Sequence, residues 1–519
     1  MEIELKLALP ARQAARIRRH PLLREIKPTK KILHSIYFDT PEFDLMRRGI
    51  ALRVRRVGYH WVQTLKAEAR AVGAMSSRPE WEMAVAGGAS PDFAVLPSAA
   101  LELLRGIDLQ RIAPVFITEF QRTTWQIVRG DDQAELALDI GEIRVGDIQA
   151  SEIRAGEARQ AISEIEIELK AGAPEFLFDL ATQLLEQVAL GVEPRSKAER
   201  GYALSGAFTP APVKAERPAI QPGQSADAAW NAMMQAALAQ LVANVPGFLE
   251  HAENIEYLHQ FRIALRRLRT GVALAKGLGE GVGGIGANTA QALRDLMRGL
   301  NPARDWDVFL HETLPKTLAA LGENPAQEQA FQPSSSEDAL LALIRAAAVD
   351  SRQQAQALLR DSAFTRLVLD LGRSLLASPE PIRESGPGNA HAWASAILEK
   401  RWLTLRKRCR RFARLTPAER HLARIATKKL RYAADAFAPL YGKRGVRFIA
   451  ALADLQNVLG RANDAHVGAR LLHAIPKKTI ALSFDLGRIE GALQVDIARH
   501  AHISAEIWRR LAQSRQFWR

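Results

Sequence analysis

The spacing of hydrophobic and polar positions changes period partway along the chain. Up to about residue 208, apolar and polar residues alternate in short runs: Glu2-Ile-Glu-Leu-Lys6, Ile50-Ala-Leu-Arg-Val-Arg55, Trp81-Glu-Met-Ala-Val85 and Glu164-Ile-Glu-Ile-Glu-Leu-Lys170. A period of two predicts strands with unlike faces. Gly87-Gly88 and Pro91 punctuate the gaps, and Glu175 to Ala189 has the spacing of one helix. Residues 209–225, TPAPVKAERPAIQPGQS, have the composition of a linker. From 226 to 519 the pattern is helical and rich in Ala, Leu and Arg, with loops expected at Gly322 to Asp338 and Ser378 to Asn389. The expected domains are therefore 1–208 and 226–519, joined by 209–225.

The helical half repeats itself. His259-QFRIALRRLR-269 matches His421-LARIATKKLR-431, and Leu293-RDLMRGLNPARDWDV-308 matches Leu452-ADLQNVLGRANDAHV-467, each pair about 160 residues apart. Two homologous helical bundles are expected, with halves at about 226–375 and 390–519.

In three of the strands one face is ionised and the other apolar. Glu2, Glu4 and Lys6 oppose Ile3, Leu5 and Leu7; Arg53 and Arg55 oppose Leu52 and Val54; Glu164, Glu166, Glu168 and Lys170 oppose Ile165, Ile167 and Leu169. Glutamates at successive same-face positions repel unless cations lie between them. All-oxygen donors suit Mg²⁺ or Mn²⁺. Arg53, Arg55, Lys66, Arg122, Lys197 and Arg200 would balance a phosphate chain beside the metal. A closed barrel would bring these faces together, with helices covering its apolar outside.

Six segments in order resemble the CYTH family of triphosphate tunnel metalloenzymes. They are the opening E-x-E-x-K, Tyr37-Phe-Asp-Thr40 with Leu52-Arg-Val-Arg55, the pair Glu80/Glu82, ELALDIGE at 135–142, the EIEIELK strand, and Ser196-Lys-Ala-Glu-Arg-Gly-Tyr202. The resemblance implies an α+β fold: an eight-stranded antiparallel tunnel with flanking helices. It implies metal held by Glu2, Glu4, Glu166 and Glu168, with Glu164 a further candidate, and phosphates held by Lys6, Arg53, Arg55, Lys66, Arg122, Lys197 and Arg200. Asp139 lies where the family has an acidic strand residue. Glu2 or Glu4 would orient the attacking water, with Lys6 beside them. Inorganic triphosphate is the expected substrate. Thiamine triphosphatase, adenylate cyclase and a non-enzymatic polyphosphate binder are the alternatives.

On a helix His259, Arg262, Arg266 and Arg269 form one stripe about 80° wide, and His421, Arg424, Lys428 and Arg431 form another. Four like charges on a stripe destabilise a helix unless anions neutralise them, and protonation of the histidines would strengthen anion binding. This half resembles the CHAD domain, which implies a basic groove that binds inorganic polyphosphate. Arg304 and Arg461 are looser candidates. His251, His311 and His466 are read as structural or surface residues, and the run Arg406 to Arg411 as a solvated face.

Composition adds limits. Hydrophobic residues at 47% and charged ones at 25% are the mix of a globular protein. The net charge of +14 predicts an anionic partner, but no nucleic-acid motif is present and aromatics at 6% give little for base stacking. Cys409, the single cysteine, excludes an intrachain disulfide and a Cys-rich zinc site. The opening MEIELKLALP is acidic where a signal peptide is basic. No uncharged run is read as crossing a bilayer, so a cytoplasmic protein without a membrane partner is expected; oligomeric state stays open.

Overall fold

A computed structural model of the chain describes residues 2–67, 70–86, 88–146, 148–149, 152–153, 158–218, 220–221, 223–275, 278, 285–322, 335–376, 389–475 and 480–519. It divides into two compact units. The first comprises 1–213, 238–251 and 359–378; the second comprises 214–237, 252–358 and 379–519. The expected loops at 323–334 and 378–388 lie outside the described residues. Ser335 to Asp338, placed in a loop by the sequence reading, opens the helix Ser335–Arg360.

The strands of the first unit are β1 (Glu2–Ala8), β2 (Thr29–Asp39), β3 (Ala51–Val57), β4 (His60–Lys66), β5 (Arg70–Val72), β6 (Met75–Arg78), β7 (Glu80–Val85), β8 (Ala113–Arg129), β9 (Asp132–Val145), β10 (Ile148–Gln149), β11 (Glu152–Ile153), β12 (Ala158–Ala171) and β13 (Gly191–Val192). All but the β10–β11 hairpin join one sheet in the order β5-β6-β1-β12-β9-β8-β2-β3-β4-β7, with β13 added beside β1. The described pairings are antiparallel.

The sheet closes on itself through one stretch of chain. Met75–Arg78 pairs with β1, and after Pro79 the same stretch pairs with β4 as Glu80–Val85. The strand count therefore exceeds the eight expected. Proline lacks the amide proton a ladder needs, so Pro79 splits what would be one strand into β6 and β7, and the short β5 and β13 extend the sheet.

Closure explains the two-faced strands. Leu5, Leu7, Ile165 and Ile167 are buried on the outside of the ring, where the helix Glu175–Leu185 presents Phe176, Leu177, Leu180 and Leu184. Ile36, Leu52, Val54 and Leu65 pack with Leu96, Ala100 and Leu104 on another side. With the apolar face so covered, the ionised face turns inward. One part of the interior is filled by Leu33, Phe116, Phe120, Ile143, Ile162 and Tyr202, next to the charged layer.

In the second unit the described regular elements are helical. One cluster mixes residues from both repeat copies: Trp306, Phe309 and Ile344 pack with Ala465, Leu472 and Leu486. The two copies thus share part of their core. Ala226–Glu250 has a mean hydropathy of 1.3 and is long enough to span a bilayer, contrary to the reading of the sequence; 67% of its most apolar window is buried within the protein, which accounts for that composition.

Candidate functional site

The conserved-looking motifs of the first unit divide into framework and interior. In Tyr37-Phe-Asp-Thr40, Asp39 is architectural. Its carboxylate accepts from the amides of Thr40 at 2.7 Å, Leu45 at 2.9 Å and Met46 at 3.0 Å, which fixes the turn leading into β3. In Ser196–Tyr202, Ser196 and Glu199 form a capping box at the start of the helix Lys197–Leu204. Gly201 packs so close to Phe116 that a Cβ would lie 2.2 Å from the ring. These contacts aim Lys197 and Arg200 into the ring, where both are buried.

A cavity of about 630 Å³ lies inside the ring. Glu2, Glu4, Lys6, Arg53, Arg55, Lys66, Arg122, Glu166 and Lys197 all line it. Glu164 and Arg200 sit behind it as a buried pair. Glu168 lies on the same strand face but does not line the cavity, and pairs with Lys170 at 2.6 Å.

Near β1, Glu2 accepts from Lys66 Nζ at 2.8 Å and Arg78 Nε at 3.1 Å, and Glu4 accepts from Arg78 at 2.5 Å. Burial pushes the Glu2 carboxyl up, but Lys66 and Arg78 outweigh it and hold Glu2 down at about 2. Glu80 beside it is raised by burial and by the charge of Glu2. Lys6 stands 3.4 Å from Glu166 and 3.8 Å from Glu4.

Across β8, β9 and β12 lies a second layer. Arg122 forks onto Asp139 at 2.8 and 2.6 Å and also donates to Glu166. Lys197 donates to Asp139 at 2.7 Å, to Glu166 at 2.9 Å and to Glu164. Glu166 is held well below the usual carboxylate range: burial opposes ionisation, and Lys197, Arg122 and Lys6 overcome it. Oxygens of Asp139, Glu164 and Glu166 lie within 4.8 Å of one another, so this all-carboxylate donor set fits a hard divalent cation.

The remaining wall is cationic. Arg55 donates to Ser35 at 2.9 Å; burial and the neighbouring Arg53 and Arg122 push it down to about 9. Lys66 is lowered by burial, then by Arg53 and Arg78. Arg78 was missed by the sequence reading. It stands two residues before Glu80 in the same alternation, and Pro79 hid that continuity.

In the second unit the two stripes meet in part. Burial, then the charge of nearby Arg266, lowers Arg262 and Arg424, and Lys428 lies within reach of all three arginines. Among the described residues none of the four forms an ion pair; Arg262 donates to Asn301 at 3.0 Å, and Arg266 lies 5.5 Å from the centre of the Tyr432 ring. Burial and the three arginines push Lys428 down to about 7. Asp305 and Asp464, equivalent positions in the repeat, flank the group and are themselves raised by burial.

The other stripe residues stand apart. Arg269 faces Arg294, Arg431 lies 3.5 Å from Asp435, and His421 is exposed. His259 is lowered by burial and then by Arg304. Arg304 contacts Glu312 at 3.2 Å. Cys409 is buried, its thiol pushed up to about 12 by burial.

Comparison with known proteins divides the chain at the same change of pattern. The CYTH domain family matches residues 1–202, and the CHAD domain family matches residues 232–473. The chain joins a CYTH domain to a CHAD domain. Over 204 residues it is 31% identical to an inorganic triphosphatase of Haemophilus influenzae, covering 39% of this chain and 54% of that one; the chain thus spans about half the length of this curated relative. The crystal structure of the CHAD domain from the plant Ricinus communis is 28% identical, with a TM-score of 0.51, covering 59% of this chain and 98% of that domain. The inward-facing acidic and basic layers are those of the CYTH domain, and the four unpaired cations belong to the CHAD domain.

Proposed function

We propose that the CYTH domain hydrolyses inorganic triphosphate with Mg²⁺ or Mn²⁺, and that the CHAD domain binds inorganic polyphosphate. The observation that carries the first part is one cavity lined together by the carboxylates Glu2, Glu4 and Glu166 and the cations Lys6, Arg53, Arg55, Lys66, Arg122 and Lys197. A bound divalent cation would supply charge neutralisation at the phosphate oxygens. Glu166, with Asp139 and Glu164 behind it, forms the carboxylate triad that would hold it, and Glu2 and Glu4 line the same cavity.

The chain's own residues do the positioning. Arg53, Arg55 and Lys66 hold the phosphate chain, and their mutual repulsion is relieved when it arrives. Lys6 stands between Glu4 and Glu166, within reach of the same phosphates. Enclosure excludes bulk water and strengthens each contact. Water adds across the terminal P–O–P bond, giving phosphate and diphosphate, and Glu2 or Glu4 orients it. Phosphoryl transfer needs this placement and neutralisation more than a covalent nucleophile.

The likeness to a triphosphatase supports this reading. A panel of inorganic triphosphate, nucleoside triphosphates, thiamine triphosphate and long polyphosphate, each with Mg²⁺ and with Mn²⁺, tests it. Phosphate release fastest from inorganic triphosphate is expected. Release from an organic triphosphate while inorganic triphosphate stays intact overturns the substrate assignment.

A further inference from the structure

The Lys197 ammonium sits where a metal ion would be expected. It carries three protons and donates to three carboxylates, Asp139 at 2.7 Å, Glu166 at 2.9 Å and Glu164, so its donors are saturated. Those are the three carboxylates whose oxygens lie within 4.8 Å of one another.

Charge decides what can join them. Asp139, Glu164 and Glu166 are already met by Lys197, Arg122 and Arg200, and Lys6 reaches Glu166 as well, so the buried cluster has no negative charge to spare. Adding a divalent cation with nothing removed leaves an uncompensated double charge in a buried wall, which is costly. One of these cations has to leave. Lys6 touches Glu166 alone of the three carboxylates, so its leaving would not open the triad. Arg122 is fixed by its two-pronged bond to Asp139, and Arg200 lies behind the cavity against Glu164. Lys197 is the movable member. It is the first residue of its helix, lines the cavity, and carries its charge on a four-carbon stem.

We propose that Lys197 is a built-in stand-in for the divalent cation: it holds the carboxylate triad in the metal-free protein, the entering metal displaces it, and the freed ammonium swings into the cavity to take a phosphate oxygen. The inference rests on the metal-dependent reading above. It couples the two ligands. Metal alone meets competition from Lys197, and triphosphate removes the competitor by giving it another partner.

The test is calorimetric titration of Mn²⁺ into the full-length protein without triphosphate, for wild type, Lys197→Met and Lys197→Arg. Lys197→Met is expected to bind Mn²⁺ at least tenfold more tightly than wild type, and Lys197→Arg no more tightly. The metal-free Lys197→Met protein is expected to melt lower than wild type and to recover on adding Mn²⁺. Equal or weaker Mn²⁺ binding by folded Lys197→Met overturns the inference while leaving metal dependence standing. No Mn²⁺ binding to any of the three overturns the metal reading and this inference with it. Should Lys197→Met fail to fold, wild type labelled with ¹⁵N-lysine decides: a Lys197 ammonium signal that shifts on adding Mg²⁺ alone supports displacement, and an unmoved signal overturns it.

Discussion

The tunnel and the helical domain's basic cluster both collect cationic residues, but they neutralise them differently. In the tunnel, Lys6, Lys66, Arg78, Arg122, Lys197 and Arg200 each reach a carboxylate. In the helical cluster, Arg262, Arg266, Arg424 and Lys428 converge without an ion pair among the described residues, and Lys428 falls to about 7. A cavity that interleaves both signs is built for a ligand that brings both, a cation with a polyanion. A surface that concentrates one sign is built for an anion alone. On the proposed function the chain carries two phosphate-binding solutions with different demands: one needs metal and a defined geometry, the other needs charge.

The largest expected separation comes from Glu4→Gln. Glu4 is buried and bonded to Arg78. Its neutralisation is expected to lower kcat for triphosphate about 10²–10⁴-fold, the range for losing a positioned acid–base group, with polyphosphate retention unchanged. Wild-type turnover in this variant would remove Glu4 from the site. Next is Arg262→Ala combined with Arg424→Ala. At about 1.5 kcal/mol or more per charged hydrogen bond, polyphosphate should bind about 10²-fold more weakly, and triphosphate turnover should change less than about twofold. Parallel loss of both activities would merge the two sites into one.

Salt should separate them further. Raising ionic strength from about 0.05 to 0.3 M shortens the screening length about twofold or more. Polyphosphate binding is expected to weaken about tenfold while KM for triphosphate with saturating metal shifts far less. A smaller effect is pH dependence. Lys428 is charged below about 7 and neutral above it, and a bound anion favours the charged form. Polyphosphate affinity should therefore fall a few-fold as pH rises from 6 to 8, with proton uptake on binding near pH 7. Lys428→Met should flatten that profile; an unchanged profile would place the titration elsewhere.

Much of the tunnel could be read from alternation, because side-chain direction in a strand follows from parity. Glu2, Glu4, Lys6, Arg53, Arg55 and Glu166 share one cavity for that reason. Arg78 escaped because Pro79 interrupts the run, and the same proline separates β6 from β7. The distinction between Glu166 on the cavity, Glu164 behind it and Glu168 beside Lys170 depends on where the helix Lys197–Leu204 inserts, which parity does not encode. In the helical half, the repeated motifs identified the stripes, and periodicity gave their faces. Which members meet depends on how the two helices cross, so Arg262, Arg266, Arg424 and Lys428 converge while Arg269, Arg431 and His421 stand aside. Asp305 and Asp464 were visible as a repeated position whose role only packing supplied. Periodicity also does not say which partner a helix buries against, and so residues 238–251 and 359–378 fall in the compact unit of the tunnel.

The most direct test treats one sample with a chelator and reads both activities. Phosphate release from inorganic triphosphate should stop and return on adding Mg²⁺ or Mn²⁺, while immobilised polyphosphate retains the protein throughout. Release that continues at full rate in the chelator would contradict a tunnel whose carboxylates hold a catalytic cation.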